Sequence, residues 1–285
     1  MKTTTSIFVV IAALTLPLGA QAFNIDLNKL KGVVEKGKAL RETSDEDEIT
    51  LGKGVAANIL GASPLVEDAE LQAYVNRVGK WLALHSARPN LPWHFGVLDD
   101  TNVNAFATPG GYILITRGLL LQMRDEAELA GVLAHEITHV VEKHALNTMK
   151  KGALAGLAGD ALSAYAEHKG KENYTKVVGA TTEIYTRGLD KEDEYAADRA
   201  GVVIAARSGY DPYGLPSVLQ TLASINPKDS DVALMFKTHP DSGERLKLVT
   251  DAMEGRLDNL ADQPRVADRF AKIMHAHVAR YKPRK

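Results

Sequence analysis

The segment His135-Glu136-Ile137-Thr138-His139 places two imidazoles four residues apart, a spacing that suits one metal ion. On an α-helix both rings project from the same face, one turn apart, so they can bind the same ion. Glu136 points beside that face and can accept a proton from a water molecule that the metal activates. Zinc lowers the pKa of such a water to about 7. The pattern therefore predicts hydrolytic metal chemistry at neutral pH.

Chance is the alternative, because a chain of this composition and length contains the pattern in roughly two cases in a hundred. The context favours the metal, since the segment carries a broad apolar stripe and unpartnered charges would be costly in a core helix. The stripe comprises Leu129, Val132, Leu133, Ile137, Val140 and Val141. We interpret His135 and His139 as ligands of one zinc ion per chain, with Glu136 as the general base.

A hydrolytic zinc ion normally has three protein ligands and leaves a fourth position for water, so a third donor must lie elsewhere. Glu194 is the best candidate, because Glu194 and Asp198 share one face of a segment with helical spacing. Asp198 would hold the free ring nitrogen of a ligand histidine. A solvated acidic helix start is the alternative. It explains Glu192 and Asp193 well, but not the apolar residues that follow Asp198.

Two other histidines lie near these motifs. His144 follows His139 by five residues, which on a continuous helix rotates it by roughly 140 degrees away from the ion. We therefore expect it to be a satisfied or exposed histidine rather than a ligand. His239 precedes Pro240 and belongs to a loop, where an exposed position is an equally good interpretation.

Apolar spacing predicts the scaffold that must position these residues. Helices are predicted over 45–60, 66–84, 192–208, 215–225 and 243–255, followed by one more before the basic end. The Ala- and Gly-rich stretch Gly152–Ala166 is read as a tightly packed helix, because Asp160 interrupts it and its apolar run is too short to span a membrane.

A small sheet should precede the metal-binding helix. Strands are predicted over Trp93–Leu98, Asn104–Ala107 and Tyr112–Thr116, with Pro109-Gly110-Gly111 as the turn. The helix should begin near Asp125, whose carboxylate accepts first-turn amides while Glu128 reaches back, as in a capping box. We therefore expect an α+β fold that is predominantly α-helical.

Composition excludes several function classes. The 285 residues are 45% hydrophobic and 25% charged, with a formal net charge of −2, so no bulk field favours nucleic acid or an anionic membrane. No cysteine is present. A lipoprotein thiol, a Cys nucleophile, disulfides and Cys-ligated zinc are thereby excluded, and His, Asp and Glu remain as the strong metal ligands.

Residues 1–22 read as a secretion signal. Lys2 is followed by an apolar run from Ile7 to Leu18 and by Ala20-Gln21-Ala22, an A-x-A cleavage site. The mature chain would then begin at Phe23, without stable membrane insertion. An uncleaved anchor is the alternative.

Several motifs together resemble the HtpX-like zinc metallopeptidases, gluzincins that include the CAAX prenyl protease, the mitochondrial Oma-type protease and periplasmic assembly-factor peptidases. Their combination is far more specific than any one of them. In chain order they are Asn104-Ala105-Phe106-Ala107-Thr108-Pro109-Gly110-Gly111, the H-E-x-x-H segment, Tyr185-Thr186-Arg187, Glu194-Tyr195-Ala196-Ala197-Asp198, Thr238-His239-Pro240 and Arg245. The resemblance implies a zincin-like domain over 45–285, preceded by a leading segment over 23–44.

The resemblance also implies roles for individual residues. His135, His139 and Glu194 would be zinc ligands, Glu136 the base and Asp198 the helix-mate of Glu194. In periplasmic relatives the histidine equivalent to His239 can approach the zinc and hold the enzyme latent. Arg245 would face the active site, where it or His239 would stabilise the oxyanion.

The segment from Asn104 through Ala105 and Phe106 to Ala107 resembles the family's substrate-facing strand, which pairs with an extended peptide beside the zinc. A plain structural hairpin is the alternative for this segment, because small and aromatic residues in alternation fit any half-buried strand.

We therefore expect a soluble, periplasmic or otherwise exported zinc endopeptidase that cleaves unfolded or misassembled exported proteins. Polypeptides are its expected partners, and nucleic acid is not. Because the chain ends at Lys285 without helical repeats, general proteolysis is favoured over recruitment to an assembly machine. The rival interpretation is a chaperone-like or scaffolding protein that keeps the zinc fold without cutting.

Overall fold

A computed structural model describes residues 43–148 and 189–281. Several sequence predictions lie outside these residues: the signal segment 1–22, nearly all of the leading segment 23–44, the helix over Gly152–Ala166 and the motif Tyr185-Thr186-Arg187. Within the described ranges, no helix combines the length and the apolar character needed to cross a membrane.

The described residues form a helical domain with one small sheet, which confirms the predicted α+β class. The α-helices are α1 (Asp45–Ala62), α2 (Ala69–Leu84), α3 (Arg117–Leu120), α4 (Glu126–Val141), α5 (Lys191–Arg207), α6 (Gly214–Ala223), α7 (Ala233–Thr238), α8 (Ser242–Met253) and α9 (Ala267–Arg280), with a 3-10 turn at Asp258–Leu260. The strands are β1 (His94–Leu98), β2 (Ala105–Thr108) and β3 (Tyr112–Thr116).

The sheet has the order β1-β3-β2, with β1 parallel and β2 antiparallel to β3. The predicted turn is confirmed, because Gly110 and Gly111 have φ of 73° and 100°, values that glycine adopts without steric cost. Three strand limits differ by one residue from the prediction, including the end of β2, which is Thr108 rather than Ala107. Trp93 precedes β1 because its N–H donates to the carbonyl of Leu91, and β2 begins at Ala105 rather than at Asn104.

The second helix is shorter than predicted. Helix α2 begins at Ala69 because the carboxylate of Asp68 accepts the N–H groups of Glu70 and Leu71 and so caps it. Val66 lies before the helix and donates its N–H to the carbonyl of Val97. The buried face of α2 includes Leu71, Tyr74, Val75 and Val78, as predicted from their spacing.

Helix α4 runs through the centre of the domain, and every residue from Glu126 to Val140 is buried. Its start agrees in part with a capping box. The carboxylate of Asp125 accepts the N–H of Glu128 at 2.9 Å, as predicted. The carboxylate of Glu128 reaches back to the N–H of Arg124, at 2.7 Å, because it also pairs with the Arg124 guanidinium.

Buried acids in the first turn of α4 are paired with arginines from the far end of the sequence. Arg265 donates to Asp125, and Arg269 donates to Glu126. The hydroxyls of Tyr74 and Tyr210 donate to the same Glu126 carboxylate, at 2.7 and 2.8 Å. A buried carboxylate is costly unless it is paired and hydrogen-bonded. These contacts therefore fix where α4 starts.

Helix α4 packs closely against α5. A β-carbon added at Gly201 of α5 would lie 2.9 Å from the backbone nitrogen of His135 and 3.0 Å from its Cα. Only a glycine lets the two backbones approach to this distance. The approach brings the face of α5 that carries Glu194 and Asp198 against the histidines of α4.

Candidate metal centre

Four buried or nearly buried side chains converge between α4, α5 and the end of α7. His135 and His139 come from α4, Glu194 from α5 and His239 from the residue after α7, and one donor atom of each lies within 4.8 Å of the others. The Nε2 atoms of the two α4 histidines are 2.9 Å apart. The carboxylate oxygens of Glu194 lie 3.6 Å from Nε2 of His135 and 3.4 Å from Nε2 of His139.

The outward nitrogens of the two α4 histidines each face a buried neighbour. Nδ1 of His135 lies 3.0 Å from Oδ1 of Asp198, and Nδ1 of His139 lies 2.8 Å from Nδ1 of His144. An ionised carboxylate only accepts, so Asp198 favours a proton on Nδ1 of His135, although the contact falls short of a hydrogen bond. With protons on both Nδ1 atoms, two Nε2 lone pairs face each other at 2.9 Å.

That arrangement fits a bound cation. Two facing lone pairs repel each other unless a positive charge lies between them, and an anionic carboxylate completes the donor set. Imidazole nitrogen with carboxylate oxygen is a ligand set that zinc accepts. The residues present therefore fit a zinc ion, with His135, His139 and Glu194 as donors and His239 as a fourth.

Glu136 lies at the centre of the site and is only 3% exposed. Burial raises the pKa of its carboxyl group, although interactions with the nearby imidazoles of His239 and His135 oppose the rise. A cavity of about 40 Å³ adjoins it, lined mostly by apolar side chains from α4, α6 and α7 and by Ala105 of β2. A carboxylate beside such a cavity can accept a proton from a group bound there.

Arg245 of α8 binds both carboxylates of α5. Its Nε and Nη2 donate to Asp198 at 2.8 and 2.7 Å, and Nη1 lies 3.0 Å from Glu194. Burial acts to raise the pKa of Asp198, but the charge and hydrogen bonds of Arg245 outweigh it and hold that pKa below its ordinary value. Arg245 therefore orients the acids. Its suggested role at an oxyanion stays a prediction.

His239 is not an exposed loop residue, since its side chain is only 14% exposed. Its Nδ1 lies 2.9 Å from both carboxylate oxygens of Glu194. Burial acts to lower the pKa of His239, but the charge of Glu194 outweighs burial and raises it. Conversely, burial acts to raise the pKa of Glu194, yet the charges of His239 and Arg245 hold it well below its ordinary value.

His144 is the satisfied histidine that the prediction allowed, but its contact with His139 was not foreseen. It stays outside the four-residue cluster, as expected, but it is buried and contacts His139 directly. The prediction assumed a helix continuing through residue 144, whereas α4 ends at Val141 and Lys143 has a φ of 58°. The sequence gives little warning that the helix ends here, because lysine seldom adopts positive φ and its presence does not predict a left-handed residue.

The predicted substrate strand lies beside this centre, against α4. Asn104 is 1% exposed and its Oδ1 accepts the N–H of Ala105, while its Nδ2 has no hydrogen-bond partner among the described residues. Ala105 and Ala107 are buried and Phe106 is partly buried. Of these four residues, Ala105 lines the cavity next to Glu136.

The chain is similar to known proteins over most of the described residues. The profile of Peptidase family M48 matches residues 69–252 of this chain. That range contains α4, the acidic face of α5, His239 and Arg245, so it includes all the residues brought together here.

Three relatives illustrate the similarity. The beta-barrel assembly-enhancing protease of Yersinia pestis is 31% identical over 215 residues, 71% of this chain and 43% of that protein. The protein of the same name from Escherichia coli K12 is 30% identical over 244 residues, 83% of this chain and 49% of that protein. Mitochondrial metalloendopeptidase OMA1 of Arabidopsis thaliana is 26% identical over 223 residues, 78% of this chain and 42% of that protein. The chain thus spans about half the length of the relatives it matches.

Proposed function

Because this chain belongs to peptidase family M48, whose profile matches residues 69–252, we propose that it is a zinc-dependent endopeptidase. The family membership confirms the resemblance drawn from the sequence motifs, and metalloendopeptidases stand among the relatives. Zinc as the metal, the role of each residue, the substrates and the cellular location are parts of this proposal.

The observation that carries the proposal is the convergence of His135, His139 and Glu194 around one point, with Glu136 beside it. Bound there, zinc would polarise the scissile carbonyl and make water acidic enough to attack at neutral pH. Glu136 takes the proton of the attacking water, and burial favours its protonated form once it has done so. The same carboxyl group then gives the proton to the leaving amine.

Two further residues, Asp198 and Arg245, hold this arrangement in place, and β2 lies beside it. Asp198 places its carboxylate 3.0 Å from Nδ1 of His135, and its charge there favours the ring orientation that turns Nε2 toward the ion. Arg245 binds both Asp198 and Glu194, so it fixes the two acids of α5 relative to each other. An extended peptide lies along β2, next to Ala105 and the cavity, where the family's substrate strand is expected.

His239 keeps the enzyme inactive at rest in this proposal. As a fourth donor its ring would take the place that a water molecule needs, which would make the enzyme latent until the segment after α7 moves. The contact between its Nδ1 and Glu194, at 2.9 Å, supports this part of the proposal. Its alternative role, as a stabiliser of the oxyanion, requires that the same ring binds the transition state.

We place the protein in the periplasm or outside the cell. The support is the signal-like pattern of residues 1–22 and the name of the bacterial relatives, which refers to β-barrel assembly. Unfolded or misassembled exported proteins, including envelope proteins, are then the substrates. N-terminal sequencing of the secreted protein tests this placement, because cleavage should leave Phe23 as the first residue.

The central experiment compares casein cleavage by the purified zinc-loaded chain with cleavage by Glu136→Gln. Loss of the base should lower the rate by a factor of about 100 or more. Glu192→Gln, an exposed glutamate in the first turn of α5, is the matched control and should leave the rate unchanged. If the chain binds zinc yet cuts no better than Glu136→Gln, even when His239→Ala has been introduced into both, the peptidase proposal fails and the scaffolding alternative gains support.

Latency has its own test. His239→Ala should raise casein cleavage if the ring blocks the metal, and His275→Ala, an exposed histidine of α9, should not change it. Lower cleavage by His239→Ala would instead indicate a role in the transition state. Measuring zinc content of each variant separates both outcomes from simple loss of the metal.

A further inference from the structure

We propose that His144 is a positioning residue for the metal centre. It accepts a hydrogen bond from the Nδ1–H group of His139 and thereby keeps the Nε2 lone pair of His139 directed at the ion. This inference rests on the metal site of the proposed function, but not on peptidase activity. It concerns the strength of metal binding, which is measured separately from cleavage.

The two rings are placed for this hydrogen bond. Their Nδ1 atoms are 2.8 Å apart, their centroids are 5.0 Å apart, and the ring planes meet at 72°. Both side chains are buried, with exposures of 4% for His139 and 5% for His144. Water therefore does not compete effectively for either nitrogen, and each buried nitrogen needs a partner from the protein.

The backbone at the end of α4 creates this contact. The helix ends at Val141, Lys143 adopts a left-handed φ of 58°, and residues 144–148 are helical again. This turn redirects the chain, so that His144 packs against the ring of His139. On a straight helix the two side chains would point in different directions. A non-glycine residue at positive φ costs free energy, and such strain persists where the surrounding structure fixes it.

Proton positions follow from the geometry. For Nε2 of His139 to bind a metal, the ring's single proton must be on Nδ1, which then donates to His144. Nδ1 of His144 is therefore an unprotonated acceptor, and its own proton is on Nε2. That nitrogen faces Oδ1 of Asp193 at 3.7 Å, and Oδ2 of Asp193 is buried without a hydrogen-bond partner in the described part of the chain.

Asp193 immediately precedes Glu194 on α5, so one helical turn supplies both a metal donor and the charge that faces His144. The two α4 histidines are thus oriented by different groups. A carboxylate contacts His135, whereas a neutral imidazole backed by a carboxylate contacts His139. Groups that orient ligand histidines in this way typically change metal affinity by about 10- to 100-fold when they are removed.

Two substitutions separate the hydrogen bond from simple packing. His144→Phe keeps a ring but removes the acceptor, and His144→Asn loses the ring but keeps an oxygen near the position of Nδ1. We expect the zinc dissociation constant, measured by competition with a chelator, to rise about 10- to 100-fold in His144→Phe. In His144→Asn it should stay within a few-fold of the wild type. Asp193→Asn should cause a smaller rise than His144→Phe because its contact is longer.

The matched control is His277→Phe. His277 is 1% exposed and bonds to Asp68 rather than to the cluster, so its replacement tests the cost of losing a buried histidine elsewhere. It should lower the free energy of unfolding without changing the zinc dissociation constant. Proton exchange at Nδ1 of His139, followed by nuclear magnetic resonance on the zinc-loaded protein, should be slow in the wild type and His144→Asn and faster in His144→Phe.

Distinct results would overturn distinct claims. If the wild type binds no zinc, the proposed function itself fails. If the wild type binds zinc and His144→Phe binds it equally well, with unchanged proton exchange at His139, the positioning role is refuted while the peptidase proposal stands. Equal weakening in His144→Phe and His144→Asn would show that packing, and not the acceptor, is what matters.

Discussion

Replacing Gly201 by alanine should weaken the metal centre, although residue 201 lies against the backbone of His135 and not against its ring. The new β-carbon would lie 2.9 Å from the backbone nitrogen of His135, whereas ordinary contact begins at 3.4 Å. Helices α4 and α5 must therefore separate by about 0.5 Å, the difference between these distances. Glu194 is seven residues earlier on the same helix, two turns away, so it moves with the backbone of α5.

The expected magnitude follows from that displacement. A misplacement of about 1 Å can lower catalysis roughly 100-fold, so about half of it should lower kcat/KM roughly tenfold. The free energy of unfolding should fall by at most about 2.5 kcal/mol. Overpacking costs about 1–3 kcal/mol, and replacing a glycine inside a helix offsets about 0.5–1 kcal/mol of it. Casein cleavage measures kcat/KM, competition with a chelator measures the zinc dissociation constant, and urea unfolding measures the free energy of unfolding. All three are measured on one preparation.

Gly61→Ala is the control, because a β-carbon at Gly61, near the end of α1, meets no atom within 4 Å. It should raise the free energy of unfolding by about 0.5 kcal/mol and leave cleavage and zinc binding unchanged. Were the folded Gly201→Ala variant to keep wild-type zinc affinity and kcat/KM, the close approach of α4 and α5 would not be what positions Glu194.

Three other changes have definite expected results. Glu126→Gln should lower the free energy of unfolding by about 2 kcal/mol at pH 7, because it removes a charge that Arg269 and two tyrosines bind. Burial acts to raise the pKa of Glu126, but Arg269 outweighs it and lowers that pKa. The wild-type advantage should therefore be complete above pH 4.5 and shrink as pH falls through the lowered pKa. A constant difference between pH 7 and pH 3 in urea unfolding would contradict this. Arg245→Lys should lower kcat/KM at least about tenfold, since an ammonium cannot reproduce the two-pronged contact with Asp198; wild-type kinetics would refute it. Removing the metal with a chelator should lower Tm, and zinc at about 100 times its dissociation constant should restore about 2.7 kcal/mol. An unchanged Tm would count against the four-donor centre.

Local patterns predicted much of the site because helical periodicity determines which side chains share a face. His135 and His139 project together from α4, and Glu194 and Asp198 project together from α5, as their spacings of four residues require. The family motifs pointed to His239 and Arg245, which no periodicity connects to the histidines. The structure brings both to the cluster.

Features that depend on tertiary contacts were not predictable in this way. Helix α7 has only six residues and no side-chain cap, so its apolar pattern is too short to recognise. The contact between His144 and His139 was missed because a left-handed lysine ends the helical phase that the prediction extended. Arg265 and Arg269 carry no local signal, since their partners on α4 lie 140 and 143 positions earlier in the sequence.

The distance between these partners has a consequence for the order of events during biosynthesis. The first turn of α4 buries Asp125 and Glu126, and both receive a guanidinium from residues made long after the helix itself. Until residue 269 has been synthesised and has folded back, that turn would have to bury carboxylates without these cations. A growing chain therefore lacks a properly anchored α4, and His135 and His139 come into position late.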